Sequence, residues 1–200
     1  MIPVPVTIIL LLIASYAIGC FSAARLIAQR FKQLNIYKVG TGHPDTENIY
    51  QNVSKPLGML VGIIDLGKMY LYLAILSYFS RKLTIVGNGY EWWLQAFGFA
   101  MIVGHCFPVT NKFRGGRGLF TFIGFALFFI FEPMIIIVAL ALIVIFAFKQ
   151  IRFAQYLIVL LPPFVSYFFP QYRGMFPNLL LLSLLMGVIN FLVSKRLGEI

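Results

Sequence analysis

Seven apolar runs, at about 3–28, 57–79, 92–110, 118–131, 133–148, 153–169 and 176–193, commit most of this chain to a membrane interior. Hydrocarbon offers no partner for a backbone N–H or C=O, so each run must satisfy its own as a helix. A straight span takes about 20 residues, which leaves the fourth and fifth runs short. Glu132-Pro133 stands between them and is expected to break a helix, and Pro162-Pro163 predicts a kink or break within the sixth. The reading is an all-α, polytopic bundle of about seven transmembrane helices, with six as the alternative count. It forms one domain over 1–200, without internal repeats or low-complexity tracts. The first run starts almost at Met1, lacks a basic leader and is long, so it reads as a retained helix, not a cleaved signal.

With 60% hydrophobic and 11% charged residues, a large soluble domain is excluded and the polar chemistry is confined to short loops. A net charge of +10 would point to nucleic acid in a soluble protein. Here the positive-inside rule accounts for it, and no nucleic-acid partner is expected. With seven spans and an outside N-terminus, the inside segments carry Arg30, Lys32, Lys38, Lys55, Lys112, Arg114, Arg117, Lys149, Arg152, Lys195 and Arg196. The outside loops carry only Arg81, Lys82 and Arg173, while Arg25 and Lys68 fall within spans. Cys20 and Cys106 show neither disulfide nor metal-ligand spacing and read as small buried hydrophobes.

The polar chemistry concentrates in three places. Gly104 to Gly118 reads GHCFPVTNKFRGGRG, a loop of glycines and basic residues between two apolar runs. Glycines let a backbone bring its N–H groups close to a ligand, and arginines beside such a turn favour an anion. At a membrane surface, a phosphorylated lipid precursor or headgroup is the first ligand to consider. The loop Val39 to Asn48, with Gly40-Thr41-Gly42-His43-Pro44, is a compact turn bearing a hydroxyl, an imidazole, two carboxylates and an amide. No metal is expected there, because nothing fixes the geometry of His43, Asp45 and Glu47. Asp65 and Lys68 lie three apart inside the second run, placed to pair on one helix face. Arg25, on the last turn of the first helix, reads as a snorkelling side chain. His105 adjoins the basic loop, as a phosphate ligand, a base or a partner of a backbone carbonyl. There is no Ser-His-Asp spacing, no Walker A motif and no zinc signature.

These residues carry a resemblance. Gly104 to Val109 with Phe113 to Gly118 is similar to the second signature, G-H-x-F-P-V then F-K-G-G-K-G, of the PlsY-type acyl-phosphate:glycerol-3-phosphate acyltransferases. Arginine replaces both lysines. Gly40 to Asn48 resembles the family's G-S-G-N-x-G-A-T-N. Gly58 and Asp65-Leu66-Gly67-Lys68 fall where the family has a glycine and D-x-x-K, and Gly19 to Ile27 resembles G-S-x-P-x-x-Y-L-I. The resemblance runs in register over about 1–160. It implies a seven-helix enzyme of phospholipid synthesis in the bacterial cytoplasmic membrane, with its functional loops on the cytoplasmic face. Such an enzyme moves an acyl chain from acyl phosphate to glycerol 3-phosphate, using neither acyl-CoA nor a metal, and no cofactor is expected. On this chain it implies Thr41, His43, Lys68 and His105 as catalytic residues. Arg114, Gly115, Gly116 and Arg117 would bind phosphate, with Asn48 and Asp65 in support.

The chain also departs from the pattern. The family's arginine three residues after the closing asparagine falls on Gln51, and Asp45 and Glu47 bring negative charge to the first loop. A carboxylate about 4 Å from a phosphate costs roughly 1 kcal/mol per charge pair even in water. Arg152 and Gln155 stand where the third signature has serines, and Gly187 stands where the C-terminal H-x-x-N has histidine before Asn190. Two readings follow. One is a PlsY-type acyltransferase, with or without altered substrates. The other is a non-catalytic, lipid-binding or structural subunit of a larger membrane complex.

The charge asymmetry makes a topological prediction. Cysteines placed at Lys38 and Lys112 will resist an impermeant thiol reagent added to intact cells, and efficient labelling would overturn the orientation.

Overall fold

A computed structural model describes residues 4–83 and 90–196. Pro3, at the start of the first apolar run, and the side chains of Lys82 and Arg196, which enter the charge asymmetry, lie outside the described residues. Among the described residues every regular element is helical. The long helices follow the apolar runs: α1 (Val4–Gly19), α4 (Lys55–Leu83), α5 (Tyr90–Cys106), α7 (Phe131–Phe148) and α10 (Phe176–Arg196). Taking α1 with its continuation to Lys32, five segments among the described residues are long and apolar enough to cross a membrane. The fourth and sixth runs form the shorter helices α6 (Leu119–Phe129) and α8 (Ile151–Leu160), which is followed by α9 (Pro162–Tyr167).

The expected breaks are present and their chemistry is visible. Helix α6 ends one residue before Ile130, and Pro133 then takes the third position of α7, where its missing N–H has no intrahelical partner to lose. Pro162 opens α9 at its first position. Two further features correct the sequence reading. The first run is not one helix to Ala28: it breaks at Cys20–Ser22 and restarts as α2 (Ala23–Lys32). Ser22 Oγ accepts from Arg25 N at 3.2 Å, so Arg25 stands in the first turn of a new helix instead of the last turn of the old one. The first polar loop likewise does not run through Asn48, because α3 (Thr46–Asn52) begins there, capped by Asp45. An N-cap oxygen satisfies one of the orphan N–H groups of a first turn, which suffices to start a helix too short to show apolar periodicity.

Two compact units make up the chain, Met1–Thr121 and Phe122–Ile200. In the first, α1 lies against α5 and α3 against α4. A Cβ added to Gly104 would sit 2.1 Å from Tyr16 O, and one added to Gly19 2.1 Å from Met101 O. These two backbones touch with nothing between them, the close approach that small residues permit between membrane helices. Ser15 Oγ and Tyr72 Oη, 2.5 Å apart, tie α1 to α4, and Tyr16 Oη donates to Phe107 O at 2.7 Å. Outward-facing Ile9, Leu10, Ile13, Ile63 and Leu71 stay exposed, as lipid-facing positions do. In the second unit α7, α8, α9 and α10 bury Ile137, Ala141, Ala154, Leu179 and Met186. There Tyr172 Oη donates to Glu132 Oε2, and Arg173 lies over the Tyr167 ring at 5.8 Å from its centroid.

Gly104→Ala drives a methyl group into backbone and is expected to cost about 1–3 kcal/mol. Gly67, with nothing within 4 Å of an added Cβ, is the control. Gly67→Ala will leave the melting temperature in detergent unchanged or higher, whereas Gly104→Ala will lower it.

Candidate functional site

The site is built in the first unit from the broken start of the chain, the middle of α4, the end of α5 and two polar loops. Lys68 sits one turn after Asp65 on α4, with its Nζ 2.8 Å from Asp65 Oδ1. Nζ also donates to His105 Nδ1 at 3.0 Å and to Phe21 O at 3.0 Å. An ammonium can only donate, and Lys68 gives hydrogen bonds to Phe21 O and His105 Nδ1 while facing the Asp65 carboxylate as an ion pair. The Phe21 carbonyl is available because the helix is interrupted there. The expected Asp65–Lys68 pair is therefore formed and extended to His105, whose Nδ1 also lies 3.8 Å from Asp65 Oδ1. Since His105 Nδ1 accepts from Lys68, its ring hydrogen belongs on Nε2.

His105 Nε2 faces the glycine loop. After α5 the chain makes a single 3-10 turn, Val109–Asn111, and reverses through Lys112 and Phe113, which hold φ values of 54° and 59°. Phe113 N returns to Pro108 O at 2.9 Å and Arg114 N to Asn111 O at 3.0 Å. Gly115 and Gly116 are then laid across the end of α5. A Cβ at Gly115 would meet His105 O at 2.0 Å and Cys106 O at 2.6 Å. One at Gly116 would meet His105 Nε2 at 2.9 Å, Asp45 Cβ at 3.0 Å and Pro44 O at 3.2 Å. The paired glycines are required because helix and loop close on them from both sides.

The first loop is held by Asn48, which is fully buried. Its Nδ2 donates to Val39 O at 2.9 Å and His43 O at 2.8 Å. Its Oδ1 accepts from Thr41 N at 3.3 Å and Asn52 Nδ2 at 2.9 Å. Every hydrogen-bonding capacity of the amide is used inside the turn, with Gly40 and Gly42 at positive φ. Thr41, half-buried, accepts from His43 N at 3.4 Å through Oγ1. His43 is buried and its Nδ1 lies 3.4 Å from Gly115 O. A carbonyl can only accept, so Nδ1 carries the hydrogen, and in the neutral ring the lone pair lies on the buried Nε2. The two imidazoles thus flank Gly115-Gly116 in opposite tautomers, His105 with N–H at Nε2 and His43 with a lone pair there.

Both carboxylates of this loop have partners, and Asp45 Oδ2 is buried without one. Asp45 Oδ1 accepts from Asn48 N at 3.0 Å as the cap of α3. Glu47 Oε2 accepts from Arg117 at 2.7 Å, and Gln51 Nε2 reaches Glu47 Oε1 at 3.4 Å. Arg117 is therefore buried against Glu47, while Arg114 at the other end of the glycine pair is exposed. The structure brings Thr41, His43, Asn48, Gly115, Gly116 and Arg117 into one network and Asp65, Lys68 and His105 into an adjoining one. Arg114 stands at the rim. Three residues were not singled out as site residues by the sequence reading: Tyr37, whose Oη donates to Arg114 O at 3.2 Å; Asn111, whose Oδ1 accepts from Arg25; and Arg25 itself. Burial raises the Tyr37 phenol above its ordinary pKa, with Arg25 and Arg114 acting in the opposite direction. The signal for Arg25 was present: the pattern that Gly19 to Ile27 resembles has tyrosine at that position.

Residues 9–197 match the family described as glycerol-3-phosphate acyltransferase. Glycerol-3-phosphate acyltransferase 5 of Dehalococcoides mccartyi is 29% identical over 191 residues, covering 94% of this chain and 77% of that protein. The glycerol-3-phosphate acyltransferase of Wolbachia pipientis is 27% identical over 185 residues, covering 92% and 89%. Among solved structures, the crystal structure of PlsY, an integral membrane glycerol 3-phosphate acyltransferase, in its glycerol 3-phosphate form, superposes with a TM-score of 0.74 at 21% identity. The match covers 94% of this chain and 88% of that one and is a likeness of fold.

Asn48→Ala will remove the centre of the first turn and is expected to cost about 2–3 kcal/mol, read as a lower melting temperature and faster amide exchange at Thr41 to His43. Gln51→Ala, at an exposed position with one long bond, will stay within about 0.5 kcal/mol.

Proposed function

The chain belongs to the glycerol-3-phosphate acyltransferase family, and from that premise we propose that it acylates glycerol 3-phosphate, with acyl phosphate as the donor. The observation that carries the reading is the pair of imidazoles in complementary tautomers on either side of Gly115-Gly116. The acceptor hydroxyl attacks the acyl carbonyl carbon. Its oxygen bonds to that carbon, its proton passes to His43 Nε2, and the bond from the acyl carbon to the phosphate oxygen breaks. The departing phosphate takes up that proton from His43, so the products are lysophosphatidic acid and inorganic phosphate. His105 Nε2–H donates to the oxygen that gains charge, held in place by Lys68 and Asp65. No acyl-enzyme is required, since positioned substrates and one base suffice.

Arg114 at the rim binds a substrate phosphate, with the Gly115-Gly116 backbone beside it. Thr41 holds the acceptor, and Asn48 keeps the turn in shape. Arg117 serves through its pair with Glu47, fixing the first loop to the second. We place the reaction at the cytoplasmic face of a bacterial cytoplasmic membrane, where the basic residues collect. Relatives named as acyltransferases support this reading over a non-catalytic subunit.

Purified protein given acyl phosphate and glycerol 3-phosphate will release phosphate and form lysophosphatidic acid. His43→Ala and His105→Ala will each lower kcat by about 10²–10³, while Arg114→Ala will raise KM by about tenfold, one charged hydrogen bond's worth. No turnover by the unmodified protein, together with a stable multi-subunit assembly that dissociates without this chain, would replace the proposal with the structural reading.

A further inference from the structure

One acceptor in the seam between the two loops has no part in the reaction derived above. Asp45 Oδ1 accepts from Asn48 N at 3.0 Å and so caps α3. Asp45 Oδ2 is buried, and among the described residues no donor meets it. The cations around it pair with other carboxylates, Arg117 with Glu47 and Lys68 with Asp65. A cap needs a single acceptor, and the hydroxyl of serine or the amide of asparagine supplies one as well as a carboxylate does. The second oxygen is therefore surplus to the fold, and a buried acceptor left without a donor is costly. In the pattern that the first loop resembles, glycine stands at this position, so the carboxylate is a feature of this chain.

The surroundings of Asp45 define what would satisfy it. A Cβ built on Gly116 would lie 3.0 Å from Asp45 Cβ and 2.9 Å from His105 Nε2, so both side chains border the same point of the seam. The seam is narrow there without being sealed. Asp45 keeps 7% of its surface exposed and His105 5%, whereas neighbouring Asn48 keeps none. His43, bonded to Gly115 O, stands at the next residue of the same strip of backbone. A carboxylate repels a phosphate, so the group that meets Oδ2 is not the charged end of a substrate. It must bring a hydrogen. An acceptor with two adjacent hydroxyls has one oxygen for the acyl carbon and a second hydroxyl whose hydrogen remains to be given.

We propose that Asp45 is a specificity-determining residue, whose Oδ2 accepts a hydrogen bond from the second hydroxyl of a vicinal-diol acceptor, next to the hydroxyl that is acylated. The inference rests on the acyltransferase reading for the identity of the acceptor. The second hydroxyl keeps its proton, so no bond is made or broken at Asp45. A site with a buried acceptor rejects an analogue that lacks the matching donor, because the acceptor is then left unpaired. Asp45 thus separates acceptors that share a phosphate and an attacking hydroxyl and differ only between them.

The test is equilibrium binding of phosphate esters to the full chain in nanodiscs, with no acyl donor present. Glycerol 3-phosphate carries the middle hydroxyl, 3-hydroxypropyl phosphate lacks it, and 2-fluoro-3-hydroxypropyl phosphate replaces it with a group that cannot donate. The native protein will bind glycerol 3-phosphate at least about tenfold more tightly than either analogue. Asp45→Ser keeps an oxygen for the cap and removes the second acceptor, and Asp45→Asn keeps the cap and turns that acceptor into a donor. Melting temperatures near that of the native protein will show the cap retained. In both variants glycerol 3-phosphate and 3-hydroxypropyl phosphate will bind within about twofold of each other. Equal binding of glycerol 3-phosphate and either analogue by the native protein, no binding of any ester, or a preference that survives Asp45→Ser would overturn the assignment. Turnover with acyl phosphate is measured alongside. Discrimination that depends on Asp45 without release of phosphate would sink the acyltransferase reading and leave the diol contact standing, and turnover without discrimination would do the reverse.

Discussion

A charge taken out of water must be given partners for every hydrogen it carries, and Lys68 is where this chain meets that demand. Its counter-charge comes from its own helix, and its two acceptors come from the end of α5 and from the carbonyl exposed where the first helix breaks. A shift of α5 or of the break would cost the half-buried ammonium one of these partners. The break at Cys20–Ser22 thus has a use beyond ending a helix, because it frees the Phe21 carbonyl. The same bond fixes the tautomer of His105, so a structural requirement of the bundle determines which nitrogen a substrate would meet.

The glycines carry the second constraint. Gly115 and Gly116 are pressed between the last carbonyls of α5 and the Pro44-Asp45 edge of the first loop. That contact brings the two loops, more than sixty positions apart in sequence, to the distance at which His43 reaches Gly115 O. The Glu47–Arg117 pair closes the same seam from the other side. With both loops anchored, the site can be formed largely from backbone and two rings.

Much of this was legible in the sequence, for physical reasons. A membrane helix declares itself through length and composition, so the apolar runs located the long helices, and prolines at 133 and 162 located two of the breaks. The i, i+3 spacing of Asp65 and Lys68 was enough to pair them. What stayed hidden depends on single side-chain oxygens or on contacts across the chain. Ser22 restarts a helix inside what reads as one continuous apolar run, and Asp45 starts one too short for periodicity to announce. Asp45 and Glu47, read as charges that would oppose a phosphate, are spent on a cap and an ion pair. Arg25 read as a snorkelling side chain because its partner, Asn111, is 86 residues away.

The bare backbone contact between Gly19 and Gly104 has a mechanical side. Helices separated by side chains can rock against each other as those side chains change rotamer, but α1 and α5 have no such cushion there. When a bilayer thickens or thins, helices adjust by tilting, and these two must tilt as one piece. Phe21 lies two residues beyond one glycine and His105 directly after the other, so both reach Lys68 from beside this contact. Changes in lipid thickness would then carry the ammonium's partners along together, leaving the spacing between them as it was.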